Sequence, residues 1–226
     1  MVERREGHSA RGTAMYIKLS DLISRHNLDI RGVIHVGAHN AEELEDYTSC
    51  GINRAVWVEA NPNKIIGLLN RVITVPGHTV FCFAAHETDG LWVTLNVANN
   101  GESSSIFELH EHKKLYPHIE MVGTEDVPTR RVDSLFDQNG LDTSAFNFVN
   151  VDIQGAELLA LRGMSGILDS IDYIYAEINI GELYKGCCNV DEIDEYLSGF
   201  GFSRAETKLA DHHGVWGDAL YVKGKG

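Results

Sequence analysis

The sequence predicts an α/β domain built on a mostly parallel sheet with helices on both faces. Three observations carry that expectation. Short apolar runs alternate with amphipathic stretches from Met15 onward, several of the runs stop at a glycine or an acid, and the C-terminal end holds two runs able to pair as a hairpin.

Taken in order, residues 1–14, MVERREGHSARGTA, carry charge, glycine and serine without an apolar period. They read as a flexible leader before a single domain over 15–226. From Met15, MYIKLSDLISRHNL spaces Ile17, Leu19, Leu22, Ile23 and Leu28 as an amphipathic helix does. GVIHVG is a short apolar run ended by Gly37, and NAEELEDYTSCG a helix closing at Gly51. RAVWVEANP is a second strand ending in Glu59, followed by the helix NPNKIIGLLNRV with Pro62 near its first turn. HTVFCFAAHETDG gives a third strand and a turn, and LWVTLNVANNG one further strand. Residues 100–127 lack a clear period and hold ESSS, several histidines and Pro117. A long irregular segment inside a domain is more often functional than idle, so a substrate lid is expected there. AFNFVNVDIQGAELLALRGM restores the pattern, with a strand through Val151, Asp152 at its end and a helix after Gly155. SIDYIYAEIN is another strand ending at an acid, and VDEIDEYLSGFGF a helix with a glycine stop. FSRAETKL and DALYVK complete the chain as an antiparallel hairpin.

A length of 226 residues suits one such domain. The formal net charge of −14 argues against gripping a nucleic-acid backbone, and Lys113, Lys114, Arg130 and Arg131 read as solvated surface. No apolar run approaches the roughly 18–20 residues of a membrane helix, and no secretory leader is visible. Neither nucleic acid nor membrane is expected as a partner. Cys50, Cys82, Cys187 and Cys188 include no CxxC pair, so reduced thiols in a cytoplasmic setting are the expectation.

In open α/β sheets, ligands lie beyond the carboxyl ends of the strands, where strand order switches. That rule selects Gly37–His39, Glu59, Ala84–His86, Asp152 and Glu177. The first turn, HVGAHNAEE, is not GxGxxG. Gly37 and Ala38 let backbone approach a ligand closely, in a way that suits a carboxylate and an ammonium better than a pyrophosphate. Glu59 follows Gly37 by about 20 residues, the interval that places an acid on a ribose. Asp152 can hold an ammonium, accept a proton from a hydroxyl, or help hold a metal ion; capping of the following helix is the plainer alternative.

These stretches resemble the FkbM family of S-adenosylmethionine-dependent methyltransferases. The likeness runs through VIHVGAHNAEELEDY, AVWVEANP, ESSSI, VDIQGAELLALRGM, YIYAEIN and WGDALYVK, with DIQGAE followed by LRG the most specific part. It implies a class I methyltransferase (Rossmann-like) fold, a seven-stranded, mostly parallel sheet with an antiparallel last strand. It implies S-adenosylmethionine as cofactor, with Gly37, Ala38 and His39 along the methionine part, Glu59 on the ribose, Ala84 and Ala85 bordering the adenine, and Asp152 near the methyl. His35, Glu43 and Ala60 complete the expected cofactor set; many members carry an acid where His35 stands.

The resemblance favours O-methylation of a sugar or glycan hydroxyl. Asp152 is the first candidate for base, with His39, His110 and Glu177 behind it. Ser104, Ser105, His110, Tyr116, Gln154 and Glu177 are the expected substrate contacts. A divalent cation is compatible with Asp152, but no metal site is predicted. Three rivals stay open: a nicotinamide-dependent oxidoreductase, an N-methyltransferase of a peptide or small amine, and a binding module of the same fold without turnover.

Overall fold

Apolar runs of four or five residues with both faces buried form the centre of the sheet, as parallel strands covered by helices require. β1 (Val33–Val36), β2 (Ala55–Glu59) and the later strand Phe148–Val151 bury every residue. The computed structural model describes residues 15–210 and 213–224; the leader expected over 1–14 lies outside the described residues.

Ten strands and seven α-helices follow one another in the described chain. They are α1 (Leu19–His26), β1, α2 (Leu44–Ser49), β2, α3 (Ile65–Val72), β3 (His78–Cys82), β4 (Ala84–Ala85), β5 (Trp92–Ala98), α4 (His112–Leu115), β6 (Met121–Arg130) and α5 (Val132–Asn139). Then come β7 (Phe148–Val151), α6 (Glu157–Arg162), β8 (Tyr173–Asn179), α7 (Val190–Ser198), β9 (Phe202–Leu209) and β10 (Trp216–Lys223). The main sheet has seven strands in the order β3-β2-β1-β7-β8-β10-β9. β10, the last strand in the chain, runs antiparallel to both β8 and β9. The expected sheet is therefore observed. Strand order reverses between β1 and β7, which pair in parallel from Val33↔Phe148 to Val36↔Val151.

Alternation along these strands sorts the core into two layers. Ile34, Val36, Val56, Val58, Val149, Val151, Ile174 and Ala176 face one side, with α5, α6 and α7 supplying Leu135, Leu161 and Ile193. Val33, Trp57, Phe148 and Tyr175 face the other, against Leu22, Tyr47 and Leu68 from α1, α2 and α3. That second layer holds a polar knot. The Tyr47 hydroxyl lies 2.9 Å from His35 Nδ1 and accepts from Asn150 Nδ2 at 2.9 Å. His35 stacks on Trp57 with centroids 4.9 Å apart.

Several boundaries differ from the expectations. His39 (φ 42°) and Ala41 (φ 55°) are left-handed, so the helix after β1 begins at Leu44 rather than Asn40. The third apolar run splits at Phe83, and β4 leaves the main sheet for a small second one, ordered β4-β6-β5. The irregular segment 100–127 contains the one-turn α4, and its end belongs to β6, a polar strand that pairs antiparallel with β5. α5, for which no element was expected, buries Val132, Leu135 and Phe136 and ends at Gly140 (φ 61°). No helix among the described residues is long and apolar enough to cross a membrane.

Candidate active site

The turns that leave β1 and β7 are pressed together at the switch point. Gly37 N and Ala38 N both donate to Val58 O, at 2.9 and 3.0 Å, while Asp152 N donates to Val36 O at 3.0 Å. Gly37 has φ +92°, and a Cβ there would stand 1.8 Å from the Asp152 carbonyl oxygen. Glycine is the only residue that allows this approach.

Glu59 at the end of β2 closes the first turn. Its Oε2 accepts from His39 N at 2.7 Å and its Oε1 from Asn61 N at 2.7 Å. Burial pushes the Glu59 carboxyl above its ordinary range, against the pull of those two donors. Each carboxylate oxygen still has a lone pair for a further donor. A cleft opens here, lined by Glu59 and by the apolar Ala60, Ala84, Ala85, Leu95 and Ile106. His39 also lines it, and His39 Nε2 is buried without a hydrogen-bond partner among the described residues. Apolar walls beside a carboxylate with free lone pairs are compatible with a nucleoside whose ribose hydroxyls donate to Glu59, and the acid disfavours a 2′-phosphate.

A second and larger cavity, about 880 Å³, adjoins the cleft. Gly37, Glu102, Asp152 and Gln154 line both spaces. Gln154, left-handed at φ 57°, orders this boundary. Its Oε1 accepts from the Tyr184 hydroxyl at 2.6 Å, which fixes its Nε2 toward two acids. Nε2 donates to Asp152 Oδ1 at 2.7 Å and also to Glu177 Oε2. Burial, and after it the neighbouring Asp152 charge, hold the Glu177 carboxyl well above its ordinary range.

Asp152, Glu157 and Glu177 bring ligand oxygens within 4.8 Å of one another. Glu157 is fully buried and accepts from Ile153 N and Gly155 N at 2.9 and 3.0 Å. The cluster is thus organised by amide donors of the protein itself. Glu157, rather than Asp152, caps the turn into α6.

The expected site residues divide between the two spaces. Gly37, His39, Glu59, Ala60, Ala84, Ala85 and Asp152 meet at the cleft. Gln154, Tyr116 and Glu177 meet Asp152 at the large cavity. Six residues sit elsewhere than the sequence reading expected. Ala38 is 1% exposed and packs in the core, because the turn points its methyl inward. His35 and Glu43 line the large cavity rather than the cleft. Ser104 and Ser105, expected on substrate, line the cleft, and Ser105 Oγ donates to Gln154 O at 2.7 Å. His110 lines neither space; it is half-exposed, with Nδ1 3.1 Å from Glu182 O. From the same segment it is His112, on α4, and His118 that line the large cavity. The reading also missed Tyr16, Trp216 and Asp218, which the ends of the chain bring to the same cavity.

Residues 35–204 match the family model described as the methyltransferase FkbM domain. The 2-O-methyltransferase NoeI of Sinorhizobium fredii (strain NBRC 101917 / NGR234) is 30% identical over 118 residues, covering 52% of this chain and 46% of NoeI. The match therefore spans about half the length of that relative. Among solved structures, Sp1610 of Streptococcus pneumoniae superposes with a TM-score of 0.51 at 12% identity, covering 93% of this chain and 72% of the other. Magnesium protoporphyrin IX methyltransferase from Synechocystis PCC 6803, with bound S-adenosylmethionine, gives 0.50 at 11% identity, covering 91% and 76%. These structural likenesses establish a shared fold.

Proposed function

The chain belongs to the FkbM methyltransferase family, and on that premise we propose that it transfers a methyl group from S-adenosylmethionine to a hydroxyl of a sugar or glycan. The observation that carries this reading is the position of Asp152, which lines both the cleft beside Glu59 and the large acid-lined cavity. When bound, the cofactor supplies an electrophilic methyl on sulfur, and attack on it must be in line.

The protein's tasks are then alignment and proton removal. The cleft holds the adenosyl end, with Glu59 receiving the ribose hydroxyls and the alanines flanking the base. The Gly37 turn leaves room for the chain that runs from the ribose toward Asp152. On the cavity side, the Asp152 carboxylate accepts the acceptor's hydroxyl proton. Gln154 holds that carboxylate in place through its 2.7 Å hydrogen bond. Burial, which holds the Glu177 carboxyl well above its ordinary range, disfavours its ionised form beside Asp152. Tyr116 lines the acceptor space and offers it a hydroxyl. NoeI, as a 2-O-methyltransferase, supports oxygen as the atom methylated.

The test is a methyl-donor assay against a panel of saccharides and glycosides, read by mass. Incorporation of one methyl, lost in Asp152→Asn while S-adenosylhomocysteine still binds, is the expected result. Full turnover in Asp152→Asn would remove Asp152 from the reaction, and absence of S-adenosylhomocysteine binding would end the cofactor assignment.

A further inference from the structure

Resting on that reading, we infer that the acceptor carries a positive charge, an ammonium group such as that of an amino sugar, beside the hydroxyl that is methylated. Glu43, Asp46, Glu102, Asp152, Glu177 and Asp218 all line the large cavity. Lys18 is the only lysine or arginine among the described residues on its wall. The buried histidines there do not balance the acids. Burial draws His35 and His112 down to about 4, so both are neutral near pH 7.

Asp152 apart, six carboxyls, Glu42 among them, remain for whatever enters the cavity. Burial pushes Glu43 up to about 8 and Asp218 up to about 7. An arriving ammonium relieves that penalty by making the ionised forms favourable, whereas a phosphate or uronate deepens it. The remaining wall suits a ring that bears such a group. Tyr16 and Trp216 meet edge to face with centroids 5.2 Å apart, and Trp216 Nε1 donates to the Tyr116 hydroxyl at 2.9 Å. Aromatic faces of this kind pack on pyranose rings and attract cations. A further polar contact is provided for. His112 is 6% exposed, and its Nδ1 has no hydrogen-bond partner among the described residues. A neutral imidazole offers one donor and one acceptor to a ligand hydroxyl.

The experiment is isothermal titration of the full chain, saturated with S-adenosylhomocysteine, with methyl glucosaminide, its N-acetylated counterpart and methyl glucuronide up to millimolar concentration. The glucosaminide should bind at least tenfold more tightly than the N-acetylated sugar, with the glucuronide weakest. Asp46→Asn, a change on the partly exposed face of α2, should narrow the preference about threefold without altering S-adenosylhomocysteine affinity. Equal binding of the neutral sugar, tighter binding of the glucuronide, or binding of none of the three overturns the inference. The reading beneath it is judged separately. Failure of S-adenosylhomocysteine to bind removes the methyltransferase site, and a methyl found on nitrogen replaces O-methylation while the charge preference stands.

Discussion

Replacing Gly37 by alanine tests the geometry on which both cavities depend. The new Cβ would lie 1.8 Å from the Asp152 carbonyl oxygen, where real contacts essentially never fall below 3.0 Å. The obstacle is backbone, so the loop carrying Asp152 must retreat by about 1.2 Å. The φ of +92° adds about 1–2 kcal/mol for any residue with a Cβ. For a chain of this size that strain alone lowers Tm by about 2–8 °C. The displacement acts on chemistry more severely, since moving a reacting group by about 1 Å costs on the order of 100-fold in rate. Gly51→Ala is the control. Gly51 has φ +78° with nothing within 4 Å of its added Cβ, so it carries the strain without the collision. The assay is methyl transfer at saturating donor and acceptor, alongside thermal unfolding of both variants. Gly37→Ala should lose about two orders of magnitude in kcat, and Gly51→Ala less than twofold. If Gly37→Ala stays within threefold of the parent while its Tm falls, the Asp152 loop is not positioned by this contact and the argument fails.

Three further outcomes are expected. Glu59→Gln replaces an acceptor of two backbone N–H groups by an amide that can satisfy only one of them. S-adenosylhomocysteine affinity should drop at least tenfold by calorimetry, and an unchanged affinity would remove Glu59 from the ribose. His112→Ala should raise the acceptor KM several-fold, whereas His110→Ala should change neither KM nor kcat by more than about twofold; the reverse order would restore His110 to the site. Stability should decline between pH 6.5 and 8, because Glu43, Asp218 and Glu157 keep their protons in the fold, up to about 8, 7 and 7, after the unfolded chain has released them. His35 acts in the opposite sense only below pH 6.5, since its folded value is about 4. Glu43→Gln should flatten the decline by a few kcal/mol in urea unfolding at pH 6.5 and 8.5, and an unchanged slope would show that Glu43 ionises freely.

What could be read from the sequence follows from which features are local. β1, β2 and β7 are buried on both faces, so they stand out as short apolar runs, and Gly37, Glu59 and Asp152 are found by walking to the ends of such runs. β6 escaped because MVGTEDVPTR is polar and carries Pro128, so its strand is made by pairing with β5 rather than by an apolar period. α5 did leave a signal, in Val132, Leu135 and Phe136 before Gly140, and that signal was passed over. Choosing between His110 and His112 was beyond a sequence pattern, because no period in that segment tells which imidazole turns inward. Tyr16 and Trp216 are far apart in the chain, and they meet only through the sheet, where Tyr16 N donates to Asp218 on β10.

The same non-local assembly explains how one fold separates a fixed task from a variable one. The cleft is built from turns tied to the sheet: Glu59 receives the His39 and Asn61 amides, and Asp152 N is bound to β1. Such turns have little freedom to change without breaking the strands behind them, which suits a cofactor that never varies. The far wall of the large cavity is different. It comes from the chain before α1, from the segment between β5 and β6, and from the start of β10, none of which sets the register of β1 or β7. Side chains there can be exchanged with little cost to the sheet. On the proposed reading, acceptor choice would then reside in that wall, through Tyr16, His112, Tyr116 and Trp216, while Asp152, fixed by the Gly37 contact and held by Gln154, would serve whichever hydroxyl the wall presents.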